Sequence, residues 1–162
     1  MDAIECLKDI FNNVNSWLVF AETKNAALVG FDIAILAISD RFLENMTKSS
    51  CLGMCLFLFG ILFPIISFLP IYNRINIYKK KKGTNLLFFA DIATHSEHQY
   101  FDMLKKNYIN VLSLKGKEKI VRDYILEIVT NSQITVYKLF MFKIGVYFSL
   151  GFIIYMVLCN II

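Results

Sequence analysis

One aspartate, Asp32, stands inside the apolar stretch from Ala26 to Ser39, AALVGFDIAILAIS. A carboxylate at mid-bilayer costs on the order of 3 kcal/mol or more if it faces lipid, so such groups usually face a bundle interior or a water-filled path. On a helix advancing about 100° per residue, Asn25, Asp32 and Ser39 share one stripe, with Glu22 at its edge. Lining a pore is one role for Glu22, Asn25, Asp32 and Ser39, and a ring of Asp32 side chains from several copies would favour cations. The other role is structural: Asp32 buried and hydrogen-bonded to a neighbouring helix, or carried there as the neutral acid. A separate stripe, Ala26, Gly30 and Ala34, recurs at four-residue steps, the small-xxx-small pattern that lets helices pack closely.

A second constellation is basic. Lys79, Lys80, Lys81 and Lys82 follow Tyr78 directly and precede the apolar segment Asn85 to Thr94, NLLFFADIAT. Such a cluster suits anionic lipid headgroups first, and anionic cytosolic ligands such as nucleotides second. A ligand site built from Lys79–Lys82, Asn85 and Asp91 would hold phosphate by charge-assisted hydrogen bonds. Asp91, His95 and His98 have the types for acid–base or metal chemistry, and His-x-x-His spacing could place both rings on one helical face. The chain has no further histidine and no cysteine nearby, so a complete set of metal ligands is hard to assemble. Capping and surface hydrogen bonding are the better reading of those three. A Gly-rich phosphate loop, a nucleophile elbow and a convincing carboxylate pair are all missing. The sequence therefore predicts neither an enzyme nor a cofactor or metal. Cys6, Cys51, Cys55 and Cys159 form no disulfide framework and read as small apolar filler.

These groups must be held by helices, most of them apolar. Of 162 residues, 57% are hydrophobic, above the 45–50% or so of soluble domains. Ile4, Leu7, Ile10 or Phe11, Val14 and Leu18 recur at three- and four-residue steps, so residues 1–25 read as an amphipathic helix on the cytosolic or interfacial side. It continues into a first span over about 26–39, with Trp17 to Phe20 near the interface. A charge-free run, CLGMCLFLFGILFPIISFLPIY, gives a second span over 51–72, kinked at Pro64, and completes a transmembrane hairpin over 26–72. Residues 73–138 form a cytosolic helical region. Ser96 is placed to cap a helix over Glu97–Asn107, and a stalk helix starts near Lys115 with the apolar stripe Ile120, Val121, Tyr124, Ile125, Ile128 and Val129. The stalk feeds a third transmembrane helix over 139–162. The predicted fold is an all-α membrane protein. Twelve of the 17 basic residues lie between Arg74 and Lys138, which puts the N-terminus and this region in the cytosol and the C-terminus outside. The polar, acidic N-terminus lacks the order of a secretory leader.

Two blocks resemble a known family. Trp17, Phe20, Ala21, Glu22, Lys24, Asn25, Ala26 and Ala27 are similar to the N-terminal signature of the Pycsar transmembrane effectors, an aromatic followed by Phe-Ala-acidic-x-Lys and small residues. Asn85 to Ala93, followed by Tyr100 and Leu104, resembles that family's Asn-Leu-x-Phe-Phe-x-Asp-Ile segment. The resemblance implies an antiphage-defence effector of the bacterial inner membrane, controlled by a cyclic or oligomeric nucleotide from a co-encoded enzyme. Related effectors act in CBASS-like and Hailong-type systems, where the nucleotide opens or inhibits the effector. The family more often has Asn where this chain has Asp32, which favours cation preference.

Together these observations predict a homo-oligomeric, nucleotide-gated ion channel or pore in contact with membrane lipids. A non-conducting scaffold that recruits a partner through its stalk is the first rival. A membrane-bound hydrolase using Asp91, His95 and His98 is the second.

Overall fold

A computed structural model describes residues 3–38, 50–70, 85–108 and 116–161. The helices, in chain order, are α1 (Ala3–Ile38), α2 (Ser50–Ile66), α3 (Phe89–Ile92), α4 (Glu97–Asn107) and α5 (Glu118–Ile161). No strand occurs among the described residues. The amphipathic N-terminal segment and the apolar stretch that follows are one unbroken 36-residue helix.

The chain divides into two compact units, Met1–Phe20 with Ile71–Tyr137 and Ala21–Pro70 with Lys138–Ile162. In the first, Leu7, Ile10 and Val14 on α1 are buried, as are Leu86, Ile92, Tyr100, Leu104, Val121, Ile125 and Ile128. Phe11 meets Tyr124 edge to face at 5.7 Å between ring centroids, and Asn131 Nδ2 donates to Asn15 Oδ1 at 2.9 Å. Ile120, expected on the apolar stripe, is exposed. Ser96 caps α4 as its position predicts: its hydroxyl accepts from Gln99 N–H, and the Gln99 side chain accepts in return from Ser96 N–H. The stalk helix starts at Glu118 instead of Lys115. Gly116 takes φ 78°, a left-handed conformation that L side chains rarely adopt, and this sets the turn before the helix.

The second unit packs α2 against the C-terminal part of α1 and the apolar end of α5. Two glycines set the approach. A Cβ on Gly145 would lie 2.7 Å from Pro64 Cγ and 3.0 Å from Leu28 Cδ2, and one on Gly60 would lie 2.9 Å from Ser149 Oγ. Phe57 rests on Phe152, and Phe59 and Phe63 on Phe148. The helix α2 ends at Ile66, short of Tyr72, in successive turns in which Ser67 Oγ donates to Pro64 C=O at 2.6 Å. At about 1.5 Å per residue its 17 residues reach roughly 25 Å, less than a ~30 Å hydrocarbon layer. Among the described residues one helix, Glu118–Leu158, is long and apolar enough to cross a membrane.

Candidate functional site

The polar stripe of α1 turns inward within the second unit. Asp32 is buried, and its Oδ2 lies 2.9 Å from Ser149 Oγ, whose single hydroxyl proton is shared between that carboxyl and Gly145 C=O at 3.0 Å. Gly60 is the third wall: a Cβ there would stand 3.4 Å from Asp32 Oδ2. The arrangement matches the structural alternative for Asp32, with α5 supplying the partner. Asn25 is fully buried, and its Nδ2 donates to Ala21 C=O (2.9 Å) and Lys138 C=O (3.1 Å). Both its donors are thus used, while its Oδ1 has no partner among the described residues.

Glu22 belongs to a charged clamp one turn earlier. Lys138 Nζ lies 3.0 Å from Glu22 Oε1 and donates to Ser67 C=O at 2.9 Å, with the Phe68 ring 5.9 Å away. One buried ammonium therefore ties α1, the end of α2 and α5 together. Glu22 remains half-exposed, which keeps this pair well below the strength of a fully buried one. In the sequence Lys138 is one more basic residue of the stalk, and no spacing rule relates it to Glu22 116 positions away. Ser39, the fourth member of the predicted stripe, lies outside the described residues. Ala26, Gly30 and Ala34 are exposed, and a Cβ on Gly30 would meet nothing within 4 Å. Within one chain, then, the polar stripe packs and the small stripe is open.

Of the predicted ligand residues, Asn85 and Asp91 are among the described ones. Lys79, Lys80, Lys81 and Lys82 lie outside the described residues. Asn85 and Asp91 build a turn: Asp91 Oδ2 accepts from Asn85 N–H at 3.0 Å, and Asn85 Oδ1 accepts from Leu87 N–H at 3.0 Å. Such short side chains mimic backbone partners in turns, which explains why both stand in this segment. The Tyr100 hydroxyl donates to Leu86 C=O at 2.9 Å, and burial pushes its ionisation well above the ordinary value near 10. His95 is buried with Nδ1 2.9 Å from Asp91 C=O, whereas His98 is exposed, so the two rings play separate roles.

Between α4 and the start of α5 lies a cleft of about 460 Å³, large enough for a small-molecule site. Phe101, Val121 and Ile125 give it apolar surface. His98, Lys105 and Arg122 line it with Glu97, Asp102 and Glu118. Lys105 is already engaged, 2.8 Å from Asp102 and 4.4 Å from the Phe101 ring centroid. Its hydrogen bond and charge hold the Asp102 carboxyl below the usual range. The cleft offers a ring to stack on, a guanidinium for an anion and carboxylates for hydrogen-bond donors. Sequence reading missed it, because its two walls come from helices that carry no common motif.

Compared with known proteins, residues 6–162 match the family described as Pycsar effector protein domain. No curated protein and no solved structure matches. The match takes in both blocks of resemblance, the inward polar stripe and the cleft. With nearly the whole chain covered, this protein belongs to the Pycsar effector family and is an antiphage-defence effector.

Proposed function

We propose that the protein is a homo-oligomeric ion channel of the bacterial inner membrane, gated by a nucleotide second messenger from a co-encoded enzyme. The observation that carries the reading is the polarity of the second unit. Most of its large exposed side chains are apolar, Phe31, Ile33, Leu52, Leu58, Leu62 and Ile154 among them, with Lys143 a charged exception, while Asn25, Asp32, Lys138 and Ser149 are inside. That is how a chain dissolved in lipid distributes its groups. Three segments, the C-terminal part of α1, α2 and the end of α5, would lie in the membrane together, the short α2 compensated by local thinning or by its neighbours.

The exposed Ala26, Gly30 and Ala34 face suits close packing between copies. In the single chain the Asp32–Ser149 and Glu22–Lys138 contacts close the polar stripe, so this arrangement is the shut form. Conduction requires α1 to leave α5, which would release Glu22, Asn25 and Asp32 to water. The cleft at Phe101 and Arg122 suits a nucleobase and a phosphate, and Lys79–Lys82 would add positive charge. Asn85 and Asp91 shape the sensing region through their turn.

Membrane potential followed in cells with and without the nucleotide-making enzyme tests the proposal. Phe101→Ala and Arg122→Glu should uncouple the channel from the signal without removing it from the membrane. Response to the signal unchanged in both variants would move the signal site elsewhere. A protein that never alters membrane potential would be a scaffold.

A further inference from the structure

Trp17 and Phe20 on α1 form an aromatic cluster with the turn that precedes α3. Trp17 lies edge to face with Phe20 at 5.6 Å and with Phe88 at 6.5 Å, and 5.0 Å from Phe89. The turn is fastened on four sides: Asn85 N–H to Asp91, Leu87 N–H to Asn85, Tyr100 Oη–H to Leu86 C=O, and Asn13 Nδ2–H to Leu87 C=O. It is nonetheless built to present apolar groups outward. Leu87 is 42% exposed and Phe88 40%, beside Phe20 at 44%.

Leu87, Phe88 and Phe20 thus stand together as a cluster of large exposed apolar groups, and such clusters mark interaction or membrane surfaces. Helix α1 says where they stand. Glu22, paired with Lys138, is the last acidic residue before the apolar stretch, and Trp17 precedes it by five residues, about 7 Å along the axis. A headgroup layer is roughly 5–7 Å thick on each side of the hydrocarbon, and Trp favours that depth. We infer that Trp17, Phe20, Leu87 and Phe88 form an anchor that seats the Asn85–Phe89 turn in the headgroup layer of the bilayer. The anchor fastens the sensing region to the lipid surface. This inference rests on the membrane reading above.

Trp17 is the only tryptophan in the chain, so its fluorescence reads the anchor directly. The full chain is reconstituted in phosphatidylethanolamine–phosphatidylglycerol vesicles, with bromine placed either near the headgroup or near the acyl terminus. Shallow bromines should quench Trp17 strongly and deep ones weakly, and aqueous iodide should have little effect. A Phe88→Trp reporter in a Trp17→Phe background should behave the same way. Iodide quenching without bromine quenching overturns the anchor, as does shielding from both, which would mean that another protein copy covers the patch. Flotation with the vesicles after alkaline wash separates the two failures. Protein that floats with an iodide-quenched reporter loses the anchor and keeps the membrane reading; protein that does not float loses both. If the reporter variant misfolds, the native Trp17 result alone decides.

Discussion

Substituting Gly145 with alanine adds one methyl group where α5 meets α2 and α1. Its Cβ would stand 2.7 and 2.9 Å from Pro64 Cγ and Cδ and 3.0 Å from Leu28 Cδ2. Carbon atoms pack comfortably at about 3.5–4.0 Å, so the contact is short by roughly 0.5–1 Å. Leu28 can change rotamer, whereas the Pro64 ring is fused to its own backbone and moves only if α2 moves. Overpacking of this kind costs about 1–3 kcal/mol, against about 1 kcal/mol gained when alanine replaces glycine inside a helix. Net destabilisation should be roughly 1 kcal/mol and at most about 2. Gly30→Ala is the matched control: its Cβ meets nothing within 4 Å, so only the helix gain of about 1 kcal/mol remains. Reversible unfolding in mixed micelles, followed by far-ultraviolet circular dichroism, should therefore order the proteins Gly30→Ala, wild type, Gly145→Ala. Equal stabilities for the two variants would refute the described seat of Pro64 on α5. If Gly30→Ala instead weakens association of copies, the open small-residue face is an interface as proposed.

Three further outcomes follow from the same contacts. Ser149→Ala leaves the buried Asp32 Oδ2 without its donor and should cost about 1–3 kcal/mol in micelles. Combining it with Asp32→Ala should show coupling on the order of 1 kcal/mol, and strictly additive losses would dissociate the pair. Gly60→Ala pushes Ser149 Oγ off its seat, so it should resemble Ser149→Ala, and the combination should lose little more than either alone. Tyr100 ionises at higher pH when folded than when unfolded, so its contribution is complete below about pH 10 and fades as pH rises through the folded-state value. Stability measured across alkaline pH should thus fall less steeply in Tyr100→Phe, which loses about 1 kcal/mol at neutral pH through the unpaired Leu86 C=O. Parallel alkaline slopes would contradict that role for the phenol.

Much of the helix pattern was legible because it depends on local chemistry. Ser96 and Gln99 mark the start of α4 by their spacing, and Leu7, Ile10 and Val14 mark the buried face of α1 by their period. The period could also show that Asn25 and Asp32 share a stripe. What it could not give was the direction of that stripe, because a lone polar face suits water and a buried partner equally. The decisive group, Ser149, is 117 residues from Asp32 and lies in a run that reads only as apolar helix. Lys138 and Glu22 were obscured in the same way. Asn85 and Asp91 look like ligand groups in a basic neighbourhood, and only the folded turn shows their oxygens accepting from its own backbone. The end of α2 at Ile66 was hidden by the uniform apolarity of the run, which continues past the turns at Ser67 and Phe68.

Ion flux through purified protein in sealed vesicles tests the central claim most directly. With the nucleotide of the co-encoded enzyme as the variable, flux should switch between two levels, and Asp32→Ala should change its ion preference. Vesicles as tight as protein-free ones, with and without nucleotide, would contradict a channel and leave a membrane-bound scaffold.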